Sequence, residues 1–259
     1  MIVGTQRTGS SALGEAIGVH PEIICGWEWT QHAPWSRKIA IAERALNGDF
    51  SLLGQNDREH MAAVFGENKT WLGFRRLFRS SDKWLLHPRF SPALWLDRLE
   101  THLNWLASRP DIHIIHIVRN DNLEWLKSKF LSHASQVYWG KGYPEGLKVT
   151  IPVREAIGRL RSKDWVDARL SSLAKSNPYL RINYEDFLED NRKVTASALH
   201  FLHCSADSLP IRETQLKPQS KGSAVDYIMN HEELIGTLRE LQLIAPVAIN
   251  QSHPDPRST

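Results

Sequence analysis

Before its twentieth residue this chain passes from a strand through a tight glycine loop into a helix. Residues 2–4 read as the end of a buried strand, residues 5–9 as a loop, and residues 10–17 as a helix stopped by Gly18 and the His20-Pro21 pair. The loop segment is Gly4-Thr5-Gln6-Arg7-Thr8-Gly9-Ser10-Ser11. Amides at the start of a helix have no partner within it, and the helix dipole favours negative charge there, so such a turn suits an anion. Gly4 and Gly9 stand five apart, as in the phosphate-binding pattern G-x-x-x-x-G-K-[ST]. Ser10 holds the place of the lysine that reaches the outer phosphates of a triphosphate. Arg7 adds a charged fork, and Thr8, Ser10 and Ser11 add hydroxyl donors. The plain alternative is a glycine turn with an ordinary helix cap, and the loose pattern alone does not separate the two.

The rest of the chain repeats the strand–helix alternation. Helical patterning runs over residues 36–65 and 92–107, the latter with Leu94, Trp95, Leu99, Leu103 and Leu106 near one stripe. Residues 71–78 and 83–87 are strand-like, and residues 112–118 (IHIIHIV) are the clearest strand, apolar enough for a sheet covered on both faces. A helix over 121–133 follows, with Asp121 and Glu124 spaced as a capping box. Residues 138–152 read as a surface loop, 154–176 as helix, 179–184 as strand and 192–203 as helix. This order predicts an α/β fold with a parallel sheet of βαβ units. With no Gly/Ser-rich or Pro-rich linker in its 259 residues, one domain over residues 1–245 is expected, followed by a disordered tail over 246–259.

Composition narrows the function. A net charge of +3, from 32 basic and 29 acidic residues, fits an anionic ligand and excludes a nucleic-acid-coating role. Two cysteines, Cys25 and Cys204, argue against a disulfide framework and for a reducing compartment. No apolar run reaches the roughly 18 residues of a membrane span, and the N-terminus carries no signal-peptide pattern. A cytoplasmic protein without an integral membrane segment is expected, and homo-oligomerisation stays open.

The segment VGTQRTGSSAL resembles the 5′-phosphosulfate loop of sulfotransferases that use 3′-phosphoadenosine-5′-phosphosulfate (PAPS). It is most similar to the bacterial trehalose-type branch, whose loop reads roughly P-R-S-G-[ST]-[ST]. Gln6 departs from the usual proline, which removes no donor to phosphate. The resemblance implies a P-loop-like parallel sheet flanked by helices, and donor contacts from Gln6, Arg7, Thr8, Gly9, Ser10 and Ser11. It also implies a second site for the 3′-phosphate, an Arg at a strand end and a Ser on the next helix, here Arg119 and Ser128. Asn120 stands where a second basic residue often does. Two weaker likenesses agree. Arg181–Phe187 resembles the R-Y-E-D-L strand end and brings in Tyr184, while Lys217, Gln219, Ser220, Lys221 and Gly222 resemble the late basic loop that closes over the nucleotide. A solvated basic loop explains that last segment equally well.

Sulfuryl transfer by in-line displacement needs an acceptor base and a group to stabilise charge on the departing phosphate. Arg7 suits the second role. For the first, trehalose-type enzymes carry a Glu in an aromatic-flanked stretch 21 residues beyond the loop Arg, which corresponds here to Glu28 between Trp27 and Trp29. Desolvation by those tryptophans would raise its pKa and favour proton uptake. A surface Glu beside core tryptophans is the bland alternative. His32 is the leading rival base, ahead of His20 and His133. Trp27, Trp29 and Trp35 offer an apolar or sugar-stacking wall. The resemblance thus implies a PAPS-dependent transferase, releasing adenosine 3′,5′-bisphosphate, that needs no metal and acts on a small-molecule, carbohydrate or lipid hydroxyl, or an amine. His113 and His116 are placed to face opposite sides of a strand, and His200 and Cys204 form no zinc site without a second pair. A P-loop small-molecule kinase would share the first loop, but this chain lacks the lysine and the metal carboxylate of such a kinase and has the Arg119/Ser128 pair. A non-catalytic nucleotide-binding relative is the third reading.

Overall fold

The computed structural model describes residues 1–20, 23–26, 35–47, 49, 51, 71–78, 92–138, 142–205, 220 and 222–244. Its apolar runs form five strands among these residues: β1 (Ile2–Thr5), β2 (Ile23–Gly26), β3 (Trp71–Phe78), β4 (Ile114–Val118) and β5 (Tyr179–Asn183). All pair in parallel in the order β2-β3-β1-β4-β5, which puts β1 at the centre. Parallel neighbours require crossovers. The helices that follow the strands are α1 (Ser10–Gly18), α2 (Trp35–Leu46), α3 (Pro92–Ala107), α4 (Asn122–Ser135) and α5 (Val153–Ser171). After a 3-10 turn at Ser172–Lys175 come α6 (Tyr184–Glu189), α7 (Asn191–Phe201), α8 (Ala224–Tyr227) and α9 (His231–Glu240). The expected P-loop-like α/β architecture is the observed one.

Every residue of β1 and β4 is buried, because successive side chains point to opposite faces and both faces are covered. Ile2, Ile115 and Ile117 pack with Leu13 and Ile17 of α1 and Leu199 of α7. Val3 and Ile114 pack with Leu99, Leu103 and Leu106 of α3 and with Val166 and Leu170 of α5. A third cluster joins α4 to α5, α8 and α9 through Trp125, Leu126, Leu131, Leu160, Ala224 and Leu234. Each fully buried side chain of this size is worth about 1.5–3 kcal/mol, so the sheet that carries the loops is held from both sides. His116 turns toward α5, with Nδ1 2.6 Å from the Tyr179 hydroxyl, whereas His113 meets the rings of Phe201 and His203.

Several boundaries differ from the sequence reading, each for a local reason. Strand β5 ends at Asn183 because Tyr184 opens α6, a helix whose first turn carries Glu185 and Asp186 and so complements the dipole. The helix expected over 154–176 is α5 plus the 3-10 turn. Asp121 caps α4 by accepting from the Glu124 amide at 2.9 Å, but the reciprocal half of the box is absent. The Glu124 carboxylate goes to Lys127 and Arg119 instead, and Glu185 accepts from the Asp121 amide at 3.0 Å. The loop expected over 138–152 is anchored: Val149 bridges Ile228 in parallel, and the Asn230 amide pairs with both backbone groups of Ile151. Within 36–65 the structure describes α2, while most of residues 48–70, the strand expected at 83–87 and the tail over 246–259 lie outside the described residues. No helix among the described residues is long and apolar enough to cross a membrane.

Candidate active site

Because β1 and β4 are parallel neighbours, the loops that follow them leave the same edge of the sheet. Such an edge, where the chain departs to both sides of the central strand, is where open α/β sheets take ligands. The two strands approach so closely where the first loop begins that glycine is required at position 4. A Cβ on Gly4 would lie 2.6 Å from the Ile117 carbonyl oxygen. Gly9 has φ +80 and caps α1 with no side-chain bond, and a Cβ there would run into the Tyr184 ring. The first turn of α1 carries no acidic residue, so its positive end is left without a protein counter-charge of its own. The buried Thr8 hydroxyl donates to the Thr5 carbonyl at 2.9 Å and braces the loop from within. Ser10 is buried and Ser11 half-buried beside it.

Arg7 also adopts a left-handed backbone, φ 68, which costs a non-glycine residue about 1–2 kcal/mol. Its guanidinium reaches α4 and the loop beyond. Nε donates to Ser128 Oγ at 2.9 Å, Nη2 to the Tyr143 hydroxyl at 2.9 Å, and Nη1 to the Tyr138 carbonyl. Burial pushes its pKa below the usual value, Arg119 adds to that and Tyr143 opposes it. The Tyr143 hydroxyl in turn donates to the Ser128 carbonyl at 3.2 Å.

Arg119, at the end of β4, is held loosely by comparison. Nη1 lies 3.5 Å from the Arg7 carbonyl and Nη2 3.4 Å from Glu124 Oε2, both long for hydrogen bonds. Nε is buried with no hydrogen-bond partner among the described residues. The guanidinium lies 4.9 Å from the centroid of the Tyr184 ring, whose edge also abuts Gly9, and burial raises the Tyr184 phenol pKa. A buried cation whose donors are left incompletely paired costs free energy unless an acceptor completes them. This arrangement suits a phosphate oxygen.

The structure therefore brings together Arg7, Thr8, Gly9, Ser10, Ser11, Arg119, Ser128 and Tyr184. Gln6 belongs to the same edge but faces α4: its carbonyl accepts from Trp125 Nε1 at 2.7 Å and its side chain from Lys129 at 2.6 Å. Gly222 reaches the cluster through its carbonyl, which accepts from Lys127 at 2.7 Å. Ser220 is half-buried. Glu28, His32, Trp27, Trp29, Lys217, Gln219 and Lys221 lie outside the described residues, as does the side chain of Trp35. Of the other rival bases, His20 is buried with Nε2 3.1 Å from the Ser205 carbonyl, and His133 is exposed at the end of α4. Sequence reasoning missed Tyr143, Lys127, Lys129, Trp125 and Glu185. The two lysines flanking Ser128 were a readable signal. The contact from Tyr143 to Arg7, across 136 residues, left none.

A family model described as the sulfotransferase family matches residues 1–208. Among solved structures, a sulfotransferase from Alicyclobacillus acidocaldarius is 17% identical, covers 92% of this chain and 90% of that one, and superposes with a TM-score of 0.50. The sulfotransferase domain of the olefin synthase from Synechococcus PCC 7002 is 12% identical over 95% of this chain and 94% of that one, with a TM-score of 0.42. No curated protein matches. The first of these structures supports the fold alone, but the family match spans the glycine loop, Arg119 and Ser128, and most of the chain. This protein belongs to the sulfotransferase family.

Proposed function

We propose that the protein moves a sulfuryl group from PAPS to a hydroxyl, or an amine, of a small-molecule, sugar or lipid acceptor, by in-line displacement. The reading rests on one observation above all. Arg7 and Arg119, from two loops 112 residues apart, meet at one edge of the sheet beside Ser128, and Arg119 Nε is buried without a hydrogen-bond partner among the described residues. A donor with phosphate groups at both its 5′ and 3′ ends would use two such cations. When bound, PAPS supplies the activated sulfuryl group and leaves as adenosine 3′,5′-bisphosphate. In this reading the amides of residues 9–11 and the Arg7 guanidinium hold the 5′ end, and Arg7 stabilises charge growing on the departing phosphate. Arg119 and Ser128 hold the 3′-phosphate, Tyr184 packs at the nucleotide, and the segment from Lys217 to Gly222 closes over it. Glu28 takes the acceptor proton, with His32 as its rival, and no metal is needed. Residues 1–245 act as one domain, in the cytoplasm, and the likeness of the glycine loop and its arginine to the trehalose-type pattern supports a kinship with that branch.

Nucleotide binding tests the reading. Adenosine 3′,5′-bisphosphate is expected to raise the melting temperature clearly more than AMP or magnesium-ATP at equal concentration, since stabilisation grows with affinity. Arg119→Ala should remove most of that advantage, weakening bisphosphate binding by about 1.5–3 kcal/mol, the scale of a hydrogen bond to a charged group. Equal shifts for the bisphosphate and AMP would overturn the 3′-phosphate assignment. A preference for magnesium-ATP would favour a kinase built on the same first loop.

A further inference from the structure

Next to Ser128, helix α4 buries a lysine that the proposed reaction does not use. Lys127 is 1% exposed. Taking an ammonium group out of water costs several kcal/mol unless it is paired and hydrogen-bonded, and Lys127 has three partners. Nζ is 2.6 Å from Glu124 Oε2, donates to the Gly222 carbonyl at 2.7 Å, and lies 5.3 Å from the centroid of the Tyr227 ring. The same Glu124 oxygen is also 3.4 Å from Arg119 Nη2. One carboxylate thus stands between two cations, close to the lysine and farther from the arginine.

This asymmetry matters for an anion site. A carboxylate beside Arg119 would cancel part of its charge and repel a phosphate oxygen brought to it. The short contact to Lys127 neutralises Glu124 from the other side. We propose that Lys127 is a positioning residue for the phosphate arm, holding Glu124 so that Arg119 stays available to the nucleotide 3′-phosphate. Without the ammonium, Arg119 is the nearest remaining cation to Glu124 among the described residues, and the guanidinium is drawn into that pair and away from the ligand. Through Gly222 the same ammonium ties α4 to the chain entering α8. The inference rests on the reading of Arg119 as the 3′-phosphate ligand.

The experiment compares the dissociation constants of adenosine 3′,5′-bisphosphate and AMP in wild type, Lys127→Met, Lys127→Met/Glu124→Gln and Arg119→Ala. Lys127→Met is expected to weaken bisphosphate binding by about tenfold and AMP binding little, within the usual range of coupling between contacting groups. Removing the carboxylate as well should restore most of the discrimination, because the opposing charge is then gone. A merely structural lysine predicts loss of stability with the bisphosphate-to-AMP ratio unchanged, and that result overturns the inference. So does a double variant no better than the single one. If the single variant does not fold, the double variant decides alone, since a neutral pair replaces the buried ions: near-wild-type discrimination supports the inference and its loss overturns it. Arg119→Ala separates the two levels. If it too keeps the ratio, the 3′-phosphate reading has failed; if it loses the ratio while Lys127→Met keeps it, only the role of Lys127 has.

Discussion

Arg7 combines a strained backbone with a buried, multiply bonded guanidinium. Its left-handed φ of 68 aims the side chain across the sheet edge to Ser128 and Tyr143 while its carbonyl faces Arg119. Strain of this kind persists where the surroundings over-determine it, and it gathers at ligand sites. Such a residue is suited to phosphate and unsuited to removing a proton, so the base must be sought elsewhere. Glu28, 21 residues further on between two tryptophans, carries that role in the proposed reaction. Glu28→Gln keeps the size of the side chain but cannot accept a proton. Turnover should fall by about 10²–10⁴-fold, the usual worth of a general base, while affinity for adenosine 3′,5′-bisphosphate barely changes. Full activity of Glu28→Gln together with loss in His32→Ala would hand the role to the histidine.

Among the elements, α4 alone of the helices described carries Glu124, Trp125, Lys127, Ser128 and Lys129 together. Its start is fixed twice. The Asp121 carboxylate accepts from the Glu124 amide, and Glu185 of α6 accepts from the Asn120 and Asp121 amides at 3.0–3.2 Å. Asp121→Ala should therefore cost about 1 kcal/mol, a typical N-cap loss, without unfolding the helix. Urea denaturation would read that loss, and an unchanged midpoint would mean that Glu185 alone secures the helix start. The element was legible in the sequence: the aspartate cap and the strand before it are local patterns, and Arg119 and Ser128 stand on them at a fixed spacing. What was not legible is how its partners arrive. Glu185 comes from 64 residues away and Gly222 from 95, and nothing in either neighbourhood encodes the meeting. The capping-box expectation gave way for the same reason, since Glu124 found stronger partners in Lys127 and Arg119 than its own helix start.

For the whole molecule, the alternation of apolar runs and glycine turns was enough to predict a parallel sheet, because β1 and β4 must be buried on both faces. Strand order was not predictable, since it depends on which crossovers pack together. That order puts two tyrosines of the five into half-buried polar settings on β5 and at the start of α6. Burial is the largest cause raising the pKa of both Tyr179 and Tyr184, opposed at Tyr179 by its bond to Ser171 and at Tyr184 by Arg119 and Arg7. The sign of the effect on stability follows from proton counting. An unfolded phenol loses its proton near pH 10, whereas the folded chain keeps these two protons to higher pH. Above about pH 10 the native state therefore binds more protons than the unfolded one, and stability falls as pH rises; below it these phenols contribute no pH dependence. Urea midpoints measured from pH 8 upward should show this alkaline limb, and Tyr179→Phe/Tyr184→Phe should flatten it relative to wild type even if the double variant starts less stable. Phenolate absorbance of the folded protein should lag behind that of the unfolded chain over the same range. Identical slopes in wild type and double variant would mean that these two rings are solvated enough in the native state to ionise as freely as they do in the unfolded chain.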